Sequence, residues 1–261
     1  MSENRNQLTE MADGLFAELR GANEVNVCER LEEACFGLLL VAEEHGGFGG
    51  DWGDMAAVMR LAGLHALAAP LGEHIVATHA LSSDGPVEGE AVWDLDTFQG
   101  DRTEMIAFLR VCQTAGALDG ALALAIEYCG QRVQFGRPLS KFQAVQQSIA
   151  LLACEAAAVN CAAQGAAAAL DRGDGGFEIA AAKLRTNTAI KTGCALAHQV
   201  HGAIGFTQEY PLNELTRRMM GWRSEGGNDA YWSLRIGSQA IAWGGAGLWD
   251  ELTRRTDPQS A

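Results

Sequence analysis

A guanidinium, an amide and an aromatic ring stand close together where the chain must turn. Arg132, Gln134 and Phe135 precede Gly136-Arg137-Pro138, which interrupts the helical pattern on either side. Arginine suits a pyrophosphate because its planar fork offers paired N–H donors. A positive charge near a helix C-terminus also compensates the helix dipole. From residue types alone, both interpretations of this corner stay equally open.

A second corner is formed by residues 199–206, Gln-Val-His-Gly-Ala-Ile-Gly-Phe. The glycines at 202 and 205 allow a ligand or a neighbouring helix to approach the backbone closely. A glycine that ends a helix would explain one of these two glycines without any ligand. Alone, this corner is a weak indication of a site.

Glu225 stands between an arginine-rich segment, 217–223, and Gly226-Gly227. A carboxylate on a turn of small residues can face a cavity and act as a general base. An exposed loop glutamate is the commoner meaning of such a residue, so Glu225 alone predicts little.

The sequence lacks the motifs of three other kinds of functional site. No glutamate lies three positions before any histidine, which excludes the Glu-x-x-His motif of di-iron bundles, and we predict no metal site. There is no Gly-x-Ser-x-Gly for a serine hydrolase. The glycine-rich segment 46–50 follows no predicted strand, which excludes a Rossmann or P-loop interpretation.

Charge and composition argue against some kinds of binding partner. The 261 residues include 33 acidic and 19 basic side chains, a net charge of −14. This charge repels nucleic acid and an anionic membrane surface, so we predict neither as a partner. The 48% hydrophobic and 20% charged content is typical of a folded chain.

Seven cysteines without a CxxC pair favour neither a disulfide framework nor a zinc site. We expect them to be small packing residues in a reducing compartment, with Cys28 and Cys35 sharing a helix face. The N-terminus lacks a signal-peptide core, and the apolar run Ala34 to Ala42 is too short to span a bilayer. We expect a cytoplasmic protein.

Helical periodicity dominates the elements that must position these residues. Asp51 or Asp54 can cap a helix, and the segment from Ala91 to Phe98 is the one candidate strand. The predicted helices cover the following segments: Leu8–Leu19, Val27–Leu38, Met55–Ala62, a short helix to Leu81, Thr103–Arg132, Phe142–Leu170, Phe177–His201, 211–222, and a last one from Asn228.

Long helices joined by short turns predict an all-α protein. We expect an N-terminal helical domain at 1–81, a connector at 82–102, an up-and-down four-helix bundle at 103–245 and a tail at 246–261.

Together the corners resemble the acyl-CoA dehydrogenase family. Tyr128-x-x-x-Arg132-x-Gln134-Phe135-Gly136-Arg137-Pro138-Leu139-x-x-Phe142-Gln143-Ala144-Val145-Gln146 is similar to the family's flavin-binding signature. Gln199-x-His201-Gly202-x-x-Gly205-Phe206 is similar to the next signature, in the expected order. Leu40 to Gly50 followed by Pro70-Leu71 resembles the N-terminal helical domain. The likeness covers about 1–81 and 103–245.

The resemblance implies an acyl-CoA dehydrogenase-like fold without its middle β-domain, since only 82–102 stands in its place. The β-domain covers the flavin and helps to hold acyl-CoA. The implied function is therefore that of a subunit in an α2β2 acyl-CoA dehydrogenase. A full-length partner would supply the β-domain, and this chain would complete the FAD site. Family likeness also implies an electron-transfer flavoprotein as electron acceptor.

Residue roles follow from the resemblance. Arg132 would contact the FAD pyrophosphate, with Gln134 and Phe135 near it. The adenosine half would meet Gln143 and the second corner, Gln199, Val200, His201, Gly202 and Ala203. Ala203 stands where the family usually has a second glycine.

Glu225 aligns with the base that removes the α-proton of acyl-CoA while a hydride passes from the β-carbon to the flavin. Gly227 replaces a common threonine. In another branch of the family the base lies on the first bundle helix, where Glu104 is the nearest carboxylate.

Two other classes of function stay open. One is a non-catalytic assembly or regulatory protein with the same fold. The other is a flavin-free acyl-CoA lyase or hydratase that uses Glu225 alone. The acyl chain is not readable from the sequence; a steroid-derived acyl-CoA is one candidate.

Overall fold

The structure is a computed structural model that describes residues 3–87 and 91–256. Its described residues form nine α-helices and one two-stranded hairpin, which confirms the all-α prediction. The helices are α1 (Glu3–Glu18), α2 (Glu24–Glu33), α3 (Trp52–Leu64), α4 (Leu71–Leu81), α5 (Arg102–Gln131), α6 (Gln143–Asp171), α7 (Gly176–His201), α8 (Pro211–Trp222) and α9 (Asp229–Thr256). The strands are β1 (Val133–Gln134) and β2 (Arg137–Pro138).

Local sequence fixes several helix ends. Asp51 and Asp54 form a reciprocal capping box at the start of α3, so both predicted caps are used. The Asp101 carboxylate accepts from the first backbone N–H groups of α5. Pro211 begins α8, where its missing N–H costs nothing.

The N-terminal helices pack directly on the bundle because α3 crosses α5 at two glycines. A Cβ atom added to Gly63 would lie 1.8 Å from the Gln113 carbonyl oxygen, and one added to Gly116 would lie 1.7 Å from that of Arg60. Only glycine permits this approach, so the two helical parts share one buried core.

Helices α5, α6 and α7 pack against one another, α8 packs on α5 and α7, and α9 lies against α7. Helix α9 continues to Thr256 across a non-helical Gly244. By length and composition alone, α5 and α6 could each cross a membrane. In the fold, 67% of the apolar window of α5 is buried, but only 28% of that of α6. Helix α6 therefore exposes an uncharged face that includes Ala150, Leu151, Cys154, Ala157 and Cys161.

Two element predictions are wrong. Helix α2 ends at Glu33 because Cys35 adopts a left-handed conformation (φ 58°), which starts a separate 3-10 turn at Phe36–Leu38. Cys28 and Cys35 therefore do not share a helix face. The predicted strand at 91–98 is absent from the described residues, since Trp93 stacks on His74 at 4.2 Å and Leu95 is buried instead. Residues 88–90 of the connector lie outside the described residues.

The cysteine prediction is correct for Cys112, Cys129 and Cys194, which are buried. It is wrong for Cys35, Cys154 and Cys161, which are exposed. The last two lie on α6, whose outward face has no neighbour within the described chain.

Candidate functional site

The two predicted corners lie at the same end of the bundle. Helix α5 ends there, α6 begins there, and α7 ends there because the three helices alternate in direction. The Tyr128 ring stacks on the His201 ring with 4.9 Å between centroids, which joins the last turns of α5 and α7. We call residues 132–143 and 199–206 the hairpin end.

Between α5 and α6 the chain makes a tight β-hairpin that the sequence did not predict. Val133 pairs with Pro138, and the turn residues Phe135 and Gly136 both have positive φ, 51° and 80°. Hairpin turns with positive φ match the twist of the strands, although a non-glycine residue there is strained. The turn leaves the Phe135 ring 92% exposed at the tip.

The hairpin presents a positive charge and an amide to the outside. The Arg132 backbone N–H donates to the Tyr128 carbonyl at 2.8 Å, while its side chain is exposed and forms no ion pair within residues 3–87 and 91–256. Gln134 is exposed beside it. The neighbouring Arg137 instead lies over the Phe142 ring, 4.1 Å from its centroid. Arg132 is thus an exposed cation of this hairpin with no carboxylate partner among the described residues.

The first residue of α6 and the corner after α7 complete the hairpin end. Gln143, Gln199 and Ala203 are exposed, and Val200 is half-buried. Gly202 has a φ of 65° with open space where a Cβ would point. Its backbone is therefore accessible to a ligand.

Two histidines at this end have unused hydrogen-bonding atoms. The His201 Nδ1 atom lies 2.8 Å from the Ala197 carbonyl, which makes Nδ1 the donor. The buried His201 Nε2 and His198 Nδ1 atoms have no partner within the described residues. Burial, with the nearby His201, lowers the pKa of His198. Unsatisfied buried polar atoms are typical of a place where a ligand or ordered water belongs.

Glu225 lies at the opposite end of the bundle. Its carboxylate accepts from the Arg110 Nε atom at 2.6 Å. Arg110 precedes Arg132 by 22 residues on or next to α5, so a rise of 1.5 Å per residue separates them by about 33 Å. The structure therefore groups the predicted cofactor residues and places the predicted base elsewhere.

Sequence reasoning missed the charged residues around Glu225. Arg110 also donates to Glu73 of α4 at 2.6 Å and to Gln113 at 2.8 Å. Burial acts to lower the pKa of Arg110, but Glu73 and Glu225 outweigh it and raise that pKa. A sequence signal that could have revealed this cluster is a charged residue within an otherwise apolar helix, such as Glu73 in Leu71–Leu81.

Glu104, the alternative base, is also engaged. It pairs with Arg235 of α9 near the start of α5. Neither predicted carboxylate is therefore free of an arginine in this chain.

The described residues thus form an all-α fold that exposes a cation, three amides and an open glycine at one end, which are groups of the kind that bind phosphates. Residues 101–241 match the model of the acyl-CoA dehydrogenase C-terminal domain. The match covers more than half of the chain. The chain belongs to the acyl-CoA dehydrogenase family, whose members are FAD-dependent oxidoreductases.

Curated relatives match a limited segment. Glutaryl-CoA dehydrogenase of Desulfococcus multivorans is 38% identical over 104 residues, 39% of this chain and 27% of that protein. Acyl-CoA dehydrogenase IpdE2 of Mycobacterium tuberculosis is 33% identical over 115 residues, 44% of this chain and 35% of that protein. The matched segments thus span about a third or less of these relatives.

Solved structures share the fold over nearly the whole chain. A Tcur3481–Tcur3483 steroid acyl-CoA dehydrogenase variant aligns with a TM-score of 0.79 and 17% identity, covering 94% of this chain and 99% of that one. The ChsE4–ChsE5 complex of Mycobacterium tuberculosis gives 0.76 and 16%, covering 93% and 98%. At these identities the likeness shows the fold alone.

Proposed function

We propose that this chain is a subunit of a FAD-dependent acyl-CoA dehydrogenase complex that introduces an α,β double bond into an acyl-CoA thioester. The observation that carries the proposal is the grouping of Arg132, Gln143 and residues 199–203 at the hairpin end. Between α4 and α5, the described residues form a 3-10 turn and irregular chain, with no β-domain to cover a flavin. A full-length partner would supply that domain.

The residues of the hairpin end fit the phosphate and adenosine part of FAD. The Arg132 guanidinium would bind the pyrophosphate, with Gln134 and Phe135 beside it. Gln143 and Gln199 offer hydrogen bonds to the adenosine half, next to Val200, His201 and Ala203. Gly202, whose N–H donates to the His198 carbonyl, allows the ligand to approach closely. When bound, FAD supplies a hydride acceptor.

The assembly we propose is α2β2, with electron-transfer flavoprotein as electron acceptor. Two structural neighbours bear the names of two-component assemblies, and one of them is named a steroid acyl-CoA dehydrogenase. A steroid-derived acyl-CoA is accordingly the substrate class that we propose to assay first.

An Arg132→Ala variant tests the cofactor role. Loss of the unpaired guanidinium removes charge-assisted hydrogen bonds to the pyrophosphate, so the complex should retain at least about tenfold less FAD after gel filtration, equivalent to about 1.4 kcal/mol. Flavin absorbance per complex is the measurement.

The matched control is Arg20→Ala, an exposed arginine that follows α1 in the N-terminal helical part. It should leave the flavin content unchanged. Equal flavin retention in both variants, with the complex intact, would contradict the proposed role of Arg132.

Flavin content and acyl-CoA turnover, measured on the same complex, separate the two rival functions. A non-catalytic assembly protein would form the complex without contributing to FAD retention. A flavin-free lyase or hydratase would turn over acyl-CoA with no flavin in the sample.

A further inference from the structure

We infer that Lys183 is a positioning residue: from α7 it holds the carbonyl group at the end of α8, and so fixes the turn at residues 223–228 that carries Glu225. Its catalytic consequence rests on the proposed function, in which the family resemblance makes Glu225 the base that removes the α-proton. Lys183 acts through the backbone of the turn and is not itself a catalytic residue.

Lys183 is an ammonium group with no exposed surface. Its Nζ atom donates to the Trp222 carbonyl oxygen at 2.6 Å. Burying a charge is costly unless the charge is paired and hydrogen-bonded, and an apolar side chain of similar size would avoid that cost. The choice of lysine is therefore explained by what the ammonium holds, and not by packing.

The carbonyl group that Lys183 binds lies where α8 ends. Trp222 is the last residue of that helix, so its carbonyl has no partner within the helix. A lysine at a helix C-terminus can bind such a carbonyl and also compensates the helix dipole. Because Glu225 follows three residues later, this bond sets where the turn begins.

Other contacts hold the rest of the turn. Arg223 donates to Asp229 across its base. Gly226 packs on α5 so closely that an added Cβ would lie 2.5 Å from the Ala107 backbone nitrogen, and the Trp232 indole N–H donates to the Gly226 carbonyl at 2.8 Å. The middle and the end of the turn are thus held by α5 and α9, whereas its start is held from α7.

The charges near the ammonium group belong to the same region. Burial, with Arg110 and Arg223 nearby, lowers the pKa of Lys183 to about 8, and Glu225 and Asp229 oppose this shift. The ammonium is therefore a counter-charge to one carboxylate within the turn and one directly after it. The Glu225 side chain is still 45% exposed, so a substrate can reach it.

Hydrogen exchange on the full chain tests whether Lys183 holds the turn. In Lys183→Met, the backbone amides of residues 223–228 should exchange about fivefold faster than in the wild type, as expected for the loss of one hydrogen bond. The amides of the turn at residues 172–175 should be unchanged. Lys191→Met, which changes an exposed lysine on the same helix, is the matched control and should leave both turns unchanged. Equal exchange at residues 223–228 in the two variants would overturn the inference.

The second test measures exchange of the acyl-CoA α-proton with D₂O in the FAD-loaded complex. Lys183→Met should slow this exchange at least about tenfold, because a base displaced from the proton works poorly. The KM for acyl-CoA and the flavin content should stay within about twofold of the wild type, since Lys183 contacts neither molecule.

A double variant shows whether Lys183 acts through Glu225. Glu225→Gln removes the base, so Lys183→Met should have no further effect on α-proton exchange in the Glu225→Gln complex. An equal slowing by Lys183→Met in both backgrounds would indicate a general loss of structure and would overturn the inference. A wild-type complex without flavin would contradict the proposed function instead, and hydrogen exchange of the turn would still decide whether Lys183 positions Glu225.

Discussion

At the residue scale, Lys183 carries an ammonium group into the bundle. Its side chain is fully buried, and its Nζ atom donates to the carbonyl of Trp222 at the end of α8. Burial lowers the pKa of Lys183 to about 8, and the nearby Arg110 adds to this effect while Glu225 opposes it. The lysine is therefore a costly charge below pH 8 and a neutral amine above it.

This shift predicts a pH dependence of stability. The pKa of Lys183 is about 8 in the folded chain against an ordinary value of 10.5, so the unfolded chain binds more protons between these values. Stability contributed by Lys183 should therefore rise with pH from 8 to 10.5, by about 3 kcal/mol in total.

Urea unfolding of the wild type and of Lys183→Met between pH 7.5 and 10.5 measures how much Lys183 contributes to the pH dependence of stability, because the other titrating groups are common to both chains. The difference in free energy of unfolding should move in favour of the wild type as pH rises. Parallel curves would show that Lys183 has an unshifted pKa.

At the element scale, the crossing of α3 and α5 joins the N-terminal helices to the bundle. Gly116 faces the Arg60 carbonyl, which is backbone and cannot rotate away as a side chain would. A methyl group there must push the helices apart.

Gly116→Ala should therefore lower the free energy of unfolding by at least about 2 kcal/mol. Gly130→Ala is the matched control on the same helix, because its added Cβ would meet nothing within 4 Å. That control should be neutral or stabilising by up to about 1 kcal/mol, since alanine favours helix. Chemical denaturation measures both, and equal effects would refute the close crossing.

Sequence periodicity predicted the long elements well. Helices α6, α7 and α8 begin and end within one residue of the predicted bounds, because apolar spacing, Pro211 and the glycine-rich turns define them locally. The left-handed Cys35 escaped prediction, since it depends on how Phe36 is buried by distant parts of the chain. The short hairpin escaped too, because four paired residues leave no periodic signal.

The candidate site was predictable only in part, because sequence patterns report local features and not contacts between distant residues. Arg132 and the 199–206 corner are contiguous motifs, so residue type and order identify them. The Glu73–Arg110–Glu225 bridge joins residues up to 152 positions apart, and no local pattern reports such a contact. The structure was needed to separate the two ends of the bundle.

At the scale of the whole molecule, two surfaces of the isolated chain are exposed where a partner could pack. The Phe135 ring stands in solvent at the hairpin tip, and α6 exposes an uncharged face along most of its length. Exposed large apolar side chains such as Phe135 and Leu151 are enriched at protein interfaces. Both features agree with the proposal that a partner completes the molecule.

The central claim is that FAD is bound between this chain and a full-length partner, and native mass spectrometry with a visible absorption spectrum tests it most directly. The chain is purified alone and then co-expressed with a candidate full-length acyl-CoA dehydrogenase that carries the β-domain. We predict flavin absorbance and the mass of an α2β2 assembly with FAD only for the co-expressed sample. Flavin on the chain alone, or a stable complex of the two proteins without flavin, would contradict the claim.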